Sequence, residues 1–573
     1  MSKVLPFILA LLVVAVLSFT LLSPKQNPAS SQSYLEFLPS DTTMLLTSNS
    51  PAESAKKVDF KKYAELFETA GAMMPFDFTN PQFYQEKGIN LASPAGFAIC
   101  SLERQTMFFF CGVQDEKAFA AFLQENILVG RDIQPAQSGN LPCFLIKDRF
   151  GPSFDSVYLF KDGYFLFYAT GNLQIKKNLV ENLEKEILDT QNRLSQNPIF
   201  QEASRGIQDQ GDLFLYMDYP GIIKFSTEKA KRFQPGKNDM MDNLEKIAED
   251  FTSLAISLKL AGSEFQMHTY MGFKGDSQLL QAYKGKGTAE DLLQRLPANP
   301  LVCAANSSDM QKSWEMAKPT LDMVLSTFFI SQKVENLDAL FAKIENTLSQ
   351  ELGITVSLEK DLIQNIQGTN TLVLYNLPSL QSKEFDLLVG IKLNDASKIN
   401  NLLKDVFQAI QKKSPDLPIA SIQEEGCEGL VFDLKKMQPD LSLSPALCIW
   451  KDYLILVSQK SMLKALNQEK GEFFDSIQNP KIVEGLKKGL PTIGYIRLGK
   501  LVEEILALSP PQVQMQSAMI VNFTKNFQEL IWTGEIVEKG MKGLLVLKSS
   551  GDFLGQIFDE MSKIMQQMNQ QPK

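Results

Sequence analysis

The apolar positions of this chain fall into three patterns, and each predicts a different kind of element. The first is an unbroken run over residues 4–22, opened by Val4 and closed by Leu22, apolar apart from Pro6, Ser18 and Thr20. At about 1.5 Å of rise per residue it nearly crosses a hydrocarbon core of about 30 Å. It is long for the apolar part of a secretory signal, and Lys3 beside the amino terminus favours a cytoplasmic N-terminus. The nearest small-x-small pattern, Ala29-Ser30-Ser31, lies too far beyond the run for a good cleavage site. An uncleaved signal anchor is therefore favoured, with a cleaved signal as the alternative. Pro24 and the Ser/Pro/Asn/Gln-rich stretch behind it end the helix and form a short tether.

The second pattern is short, of strand length, and apolar either at alternate positions or throughout. Gly96-Phe97-Ala98-Ile99-Cys100 and Met107-Phe108-Phe109-Phe110-Cys111 read as one hairpin. Tyr158-Leu159-Phe160 and Tyr164-Phe165-Leu166-Phe167, joined by Lys161-Asp162-Gly163, read as another, because Asp and Gly accept positive φ at little cost. Runs such as Phe108-Phe109-Phe110 are apolar on both faces. They predict central strands with helices on one side and another part of the molecule on the other. The third pattern has helical period: Phe119, Phe122, Leu123 and Ile127 form one stripe, and Ile399, Leu402, Leu403, Val406, Phe407 and Ile410 form another.

These patterns recur in the same order. Leu38-Pro39-Ser40-Asp41-Thr42 and the strand after it line up with Leu296-Pro297-Ala298-Asn299-Pro300 and its strand. The first hairpin matches Thr371-Leu372-Val373-Leu374-Tyr375 and Asp386-Leu387-Leu388-Val389-Gly390, with Gly112 set on Gly390. The second matches Cys448-Ile449-Trp450-Lys451-Asp452-Tyr453-Leu454, where the turn glycine is missing. Asn197-Pro198 and Asn479-Pro480 each open a short helix, asparagine capping and proline taking the first turn. Residues 254–273 align with 530–549, and Gly275-Asp276 with Gly551-Asp552. Ordered agreement of so many landmarks predicts a module used twice. The organisation expected is a signal anchor and tether over 1–32, one repeat over 33–285 and a second over 286–573. Short turns between strands mean antiparallel pairing, so the fold class is α+β, a mainly antiparallel sheet with helices, tandemly duplicated behind one apolar helix.

The order of parts resembles bacterial envelope proteins of unknown function that open with a Leu-Pro-Ala-Asp-Thr-like strand. Leu38-Pro39-Ser40-Asp41-Thr42 carries that resemblance, and Leu296-Pro297-Ala298-Asn299-Pro300 is a degenerate second instance. The resemblance implies a place in the cell envelope and transfers no site residues.

Composition narrows the chemistry. In 573 residues, Lys and Arg number 57 against 66 Asp and Glu, a net charge of −9 spread along the chain, which argues against nucleic acid as a partner. The lone histidine, His268, sits in an alternating stretch and reads as an ordinary strand residue, so most imidazole chemistry is removed. Lys284-Gly285-Lys286-Gly287-Thr288 has the residue types of a phosphate loop, but Leu280 stands where its first glycine belongs. Thr288 reads instead as the cap of the next helix. Ser461 and Lys464 have the Ser-x-x-Lys spacing without the partner motifs of that chemistry, and Ser461 reads as a helix cap. None of Cys100, Cys111, Cys143, Cys303, Cys427 and Cys448 forms a Cys-x-x-Cys pair. Buried thiols and a single bridge, Cys100–Cys111 first, are both compatible with export.

No catalytic, cofactor-binding or metal-binding residue is thus assigned. The expected function is a non-enzymatic, envelope-tethered binding or structural ectodomain. An extracytoplasmic hydrolase with a site assembled only in three dimensions, and a lipid or lipoprotein carrier, are the alternatives. Expected partners are the membrane, through residues 4–22, and an envelope protein or apolar ligand. The chain is placed in the inner membrane with its C-terminal mass outside the cytoplasm, or in the periplasm if the signal is cleaved. The candidate partner surface is the end of the C-terminal amphipathic stripe: Met561, Ile564, Met565 and Met568.

Overall fold

The computed structural model describes residues 33–49, 81–147, 154–188, 192–207, 211–233, 245, 246, 248–285, 289–328, 336–377, 385–424, 426–438, 443–477, 480–509, 526–553, 555, 556 and 559. The apolar run 4–22, Thr288, Asn479 and the stripe from Met561 to Met568 lie outside them. The chain divides into two compact units, one formed by residues up to Gly275 together with those from Ser549 onward, the other by Asp276–Lys548. The break thus falls before Gly285, and the C-terminal segment is returned to the first unit, where the sequence reading kept it in the second. Phe553 gives the physical reason: its ring stacks on Phe265 at 5.3 Å and its amide donates to the Gly262 carbonyl.

The first unit contains β1 (Met44–Ser48), β2 (Ala95–Ser101), β3 (Thr106–Gly112), β4 (Ile133–Ser138), β5 (Leu141–Lys147), β6 (Phe154–Lys161), β7 (Tyr164–Thr170), β8 (Leu213–Met217), β9 (Phe251–Ala261) and β10 (Glu264–Phe273). Their antiparallel pairings run β4-β5-β6-β7-β3-β2-β1-β8-β9-β10. The second unit contains β11 (Val302–Ser307), β12 (Ile366–Asn376), β13 (Asp386–Leu393), β14 (Ile419–Glu424), β15 (Cys427–Phe432), β16 (Ala446–Trp450), β17 (Tyr453–Val457), β18 (Thr492–Ile496), β19 (Phe527–Val537) and β20 (Gly540–Ser549). Here the order is β14-β15-β16-β17-β13-β12-β11-β18-β19-β20. Strand by strand the two orders are the same, in an α+β arrangement of antiparallel sheet and helices.

The registers define equivalent positions. Leu46 faces Phe97, which faces Phe109; Ala304 faces Leu372, which faces Val389. Phe110 therefore stands where Gly390 does, two residues from the Gly112 of the sequence alignment. A slip of two leaves every side chain on its own face, because the strand repeat is two residues.

In the first unit both sheet faces are covered from within the unit, a correction to the expectation of another body on one side. On one face, Phe119 of the helix Glu116–Phe122 meets Phe165 at 5.1 Å, within a core that includes Phe122, Tyr158 and Ile146. On the other, Tyr34 stacks on Phe110 at 4.7 Å and Phe37 meets Tyr164 edge-on. In the second unit the larger core gathers Val373, Leu388, Ile455 and Trp450 under Leu292, Leu463, Phe473 and Ile482. On its opposite face, Ile399 and Leu403 of the helix Ala396–Lys413 cover Ile449 and Leu454. Asp115 and Asp395 start the two hairpin-following helices in the same way, each side chain accepting from the first-turn amides.

Candidate functional site

The sequence-derived partner surface, Met561, Ile564, Met565 and Met568, and the membrane segment 4–22 fall outside the described residues. Among the described residues no helix is long and apolar enough to cross a membrane, and no group of three or more His, Cys, Asp or Glu could hold a metal ion. Ser461 lies inside a 3-10 helix, Lys460–Asn467, rather than at its cap, and both it and Lys464 are exposed. His268 sits on β10 opposite Ser257. All six cysteines are reduced and buried. Cys100 and Cys111 point to opposite sheet faces, Cys100 with the set that includes Phe110 and Cys111 with Phe109, so no bridge can join them.

What the fold does assemble is a polar cluster around the Leu38-Pro39-Ser40-Asp41-Thr42 turn. Thr42 Oγ1 donates to the Pro39 carbonyl, closing the turn at 2.7 Å. The Ser40 amide reaches the Asn192 carbonyl, and Asn197 Nδ2 donates to the Ser40 carbonyl. Arg104, in the β2–β3 turn, places Nη2 2.6 Å from Asp41 Oδ2 and Nη1 2.8 Å from Glu186 Oε1. The Tyr168 hydroxyl donates to Glu186 Oε2 at 3.0 Å. Glu186 is only 8% exposed, and burial raises its carboxyl above the ordinary range, against the lowering effects of Arg104 and Tyr168. Burial and the Glu186 charge push the Tyr168 phenol and the nearby Cys100 thiol upward. One guanidinium thus spans two carboxylates, an arrangement that clamps the turn to the sheet.

The matching turn in the second unit is held differently. The Gly471 and Phe473 amides donate to the Gln294 and Leu296 carbonyls, and Asn299, at φ 62°, donates its amide to Ser476 Oγ. Arg295 caps the Leu466 and Gln468 carbonyls and lies 5.4 Å from the Trp450 ring. Asn299 stands where Asp41 does, so one carboxylate of the cluster is missing there.

A second difference runs across the sheets. Directly paired residues share a face, and in the first unit one such row is Leu215, Leu46, Phe97, Phe109, Phe167, Tyr158 and Phe144. It is mostly aromatic, with Phe97 4% and Tyr158 1% exposed and Phe109, Phe144 and Phe167 partly buried against the core. The same row in the second unit is Gly494, Ala304, Leu372, Val389, Leu456, Leu447 and Leu430. It is aliphatic and open at its centre, where Leu372 is 38% and Leu456 43% exposed. Sequence reasoning missed this row. The run Thr371-Leu372-Val373-Leu374-Tyr375 does not say which of its neighbouring leucines and valines turns outward.

No protein-family model matches the chain, and no curated protein matches it. Among solved structures, crystal form IV of TP0453 is similar at a TM-score of 0.24 and 7% identity, over 42% of this chain and 79% of that one. Crystal form III of the same protein gives 0.24 and 7%, over 45% and 85%. Similarity at this level assigns neither a fold family nor an activity.

Proposed function

We propose that this chain is a non-enzymatic ectodomain, tethered to the cell envelope through residues 4–22, that binds a partner protein on the second unit. The observation that carries the reading is the open aliphatic row Ala304–Leu372–Val389–Leu456–Leu447. Contiguous apolar surface left in water is unfavourable, and where it persists it commonly marks an interaction site. The contrast with the first unit sharpens it, since the same row there is largely aromatic and its rings are buried or partly buried against the core. The clamp at Arg104 supports a holding role over a reactive one. The hydrolase alternative draws on Asp41 and Glu186 meeting in the first unit alone, and Arg104, bonded to both, works against it.

The test places a photo-crosslinking amino acid at position 372 or 456 in the full chain, irradiated in intact cells, with position 388 as a buried control. A discrete protein adduct from 372 and 456 and none from 388 is expected. Lipid in place of protein favours the carrier reading, and no adduct at either position removes the binding reading. The tether is tested separately by intact mass of the membrane-fraction protein: a mature N-terminus within 23–32 replaces "anchored" with "secreted".

A further inference from the structure

The second unit contains a cleft of about 490 Å³, lined by Asn299, Tyr495, Arg497, Lys500 and Glu529 among others, with the first turn of the helix Leu498–Ala507 in its wall. Most charges around it are committed within the protein. Glu529 accepts from the Tyr495 hydroxyl at 3.1 Å and lies 3.3 Å from Lys548 Nζ, and Lys500 pairs with Glu504 at 3.8 Å. The Arg497 guanidinium, whose charge lowers the Tyr495 phenol against the larger effect of burial, lines this cleft together with the exposed Asn299 side chain. The wall therefore offers donors at Arg497 and Asn299, beside the carboxylates of Glu503 and Glu529.

The equivalent place in the first unit shows what such a position ordinarily holds. The Asp218 amide donates to the Thr43 carbonyl at 2.8 Å and the Arg497 amide to the Leu301 carbonyl at 2.9 Å, each one residue past β8 or β18. Both residues open a helix: the Ile222 amide returns to the Asp218 carbonyl, and the Leu501 amide to the Arg497 carbonyl. Asp218 caps its helix with its own carboxylate, accepting from the Gly221 amide at 3.2 Å. Arg497 gives its helix no side-chain cap. A cation at a helix amino end adds to the positive end of the dipole, the opposite of the usual preference. In one unit a built-in carboxylate fills the place; in the other the carboxylate is gone, a guanidinium replaces it, and a cleft opens beside it.

We propose that this cleft binds an anionic ligand, a carboxylate or phosphate group gripped by Arg497 with Asn299 and the first-turn amides completing its acceptors. A planar guanidinium matches either oxyanion in a two-pronged geometry. The site is separate from the aliphatic row, so its failure leaves the partner-binding reading untouched.

The experiment titrates the purified full chain with inorganic phosphate and, separately, with acetate at constant ionic strength, following heat of binding and thermal midpoint. Saturable binding is expected for one or both anions, and the stronger identifies the ligand chemistry. Arg497→Gln should weaken it by about tenfold or more, the usual effect of losing a charged hydrogen-bond partner. Arg497→Asp, which recreates the Asp218 arrangement, should abolish binding and raise the midpoint without ligand, so a folded variant reports the loss. If neither anion binds saturably, or if wild type, Arg497→Gln and Arg497→Asp respond alike, the proposal is wrong.

Discussion

Single residues carry distinct physical loads here, and two can be tested directly. Gly494 faces Trp532 across β18 and β19, and a Cβ on it would lie 1.8 Å from the indole ring. Gly494→Ala should therefore cost about 2 kcal/mol, the penalty of overpacking where the indole ring must shift to make room. Denaturation midpoints and a changed tryptophan emission would report it. Glu186 makes a pH-dependent contribution. Its carboxyl holds a proton more tightly in the folded protein than in the unfolded chain, chiefly because burial penalises the charge. Stability from this group is therefore fully present below the unfolded value and is lost as pH rises through the folded one. Relative to Glu186→Gln, which stays neutral, wild type should gain stability as pH falls into the range just above ordinary glutamate titration. Paired urea melts across that range check the sign, and parallel curves for the two proteins would show that Glu186 is not the titrating group.

At the scale of elements, local chemistry explains most boundaries and one weakness. Asp162 and Gly163 share positive φ in the β6–β7 turn, the pattern that matches strand twist. The β16–β17 turn has no glycine, and Lys451 takes positive φ itself while its ammonium sits 4.5 Å from the Trp450 ring. Lys451→Gly should remove a left-handed penalty of about 1 kcal/mol, less what the cation–aromatic contact contributes. A thermal midpoint raised by about 2 °C is the expected reading, given the size of each unit. The duplicated helix starts were legible in principle. Asp115 and Asp395 follow their hairpins at matching places, and a search for caps beside the apolar stripes finds both.

For the whole molecule, the expectation with most reach is that one row of equivalent positions packs against core in the first unit and is open at its centre in the second. Leu372→Gln with Leu456→Gln should leave the thermal midpoint nearly unchanged, whereas Phe109→Ala or Phe167→Ala, packed against the first unit's core, should cost about 3–5 kcal/mol. Equal losses from both pairs would mean that the second row is core. The thiols give an independent check of the packing. Six reduced, buried cysteines should resist a thiol reagent in the native protein and all react after unfolding.

What the chain determined by itself is whatever depends on neighbours close in sequence or on order along it. Strand and helix period, turn chemistry at Asp162-Gly163, proline after Asn197 and the repeated succession of landmarks are all of this kind, and they yield an antiparallel α+β fold. The tertiary structure decided what depends on distant residues meeting. Asp41, Arg104, Tyr168 and Glu186 carry no common motif and become one network only when turn, hairpin and helix converge. Leu372 and Leu456 look like core in any local window; they stay exposed because the helix Ala396–Lys413, which packs over Ile449 and Leu454 on that same sheet face, leaves them uncovered. Asp218 and Arg497 become comparable only once the ladders align their strands, because equivalence in a duplicated fold is a matter of register in space.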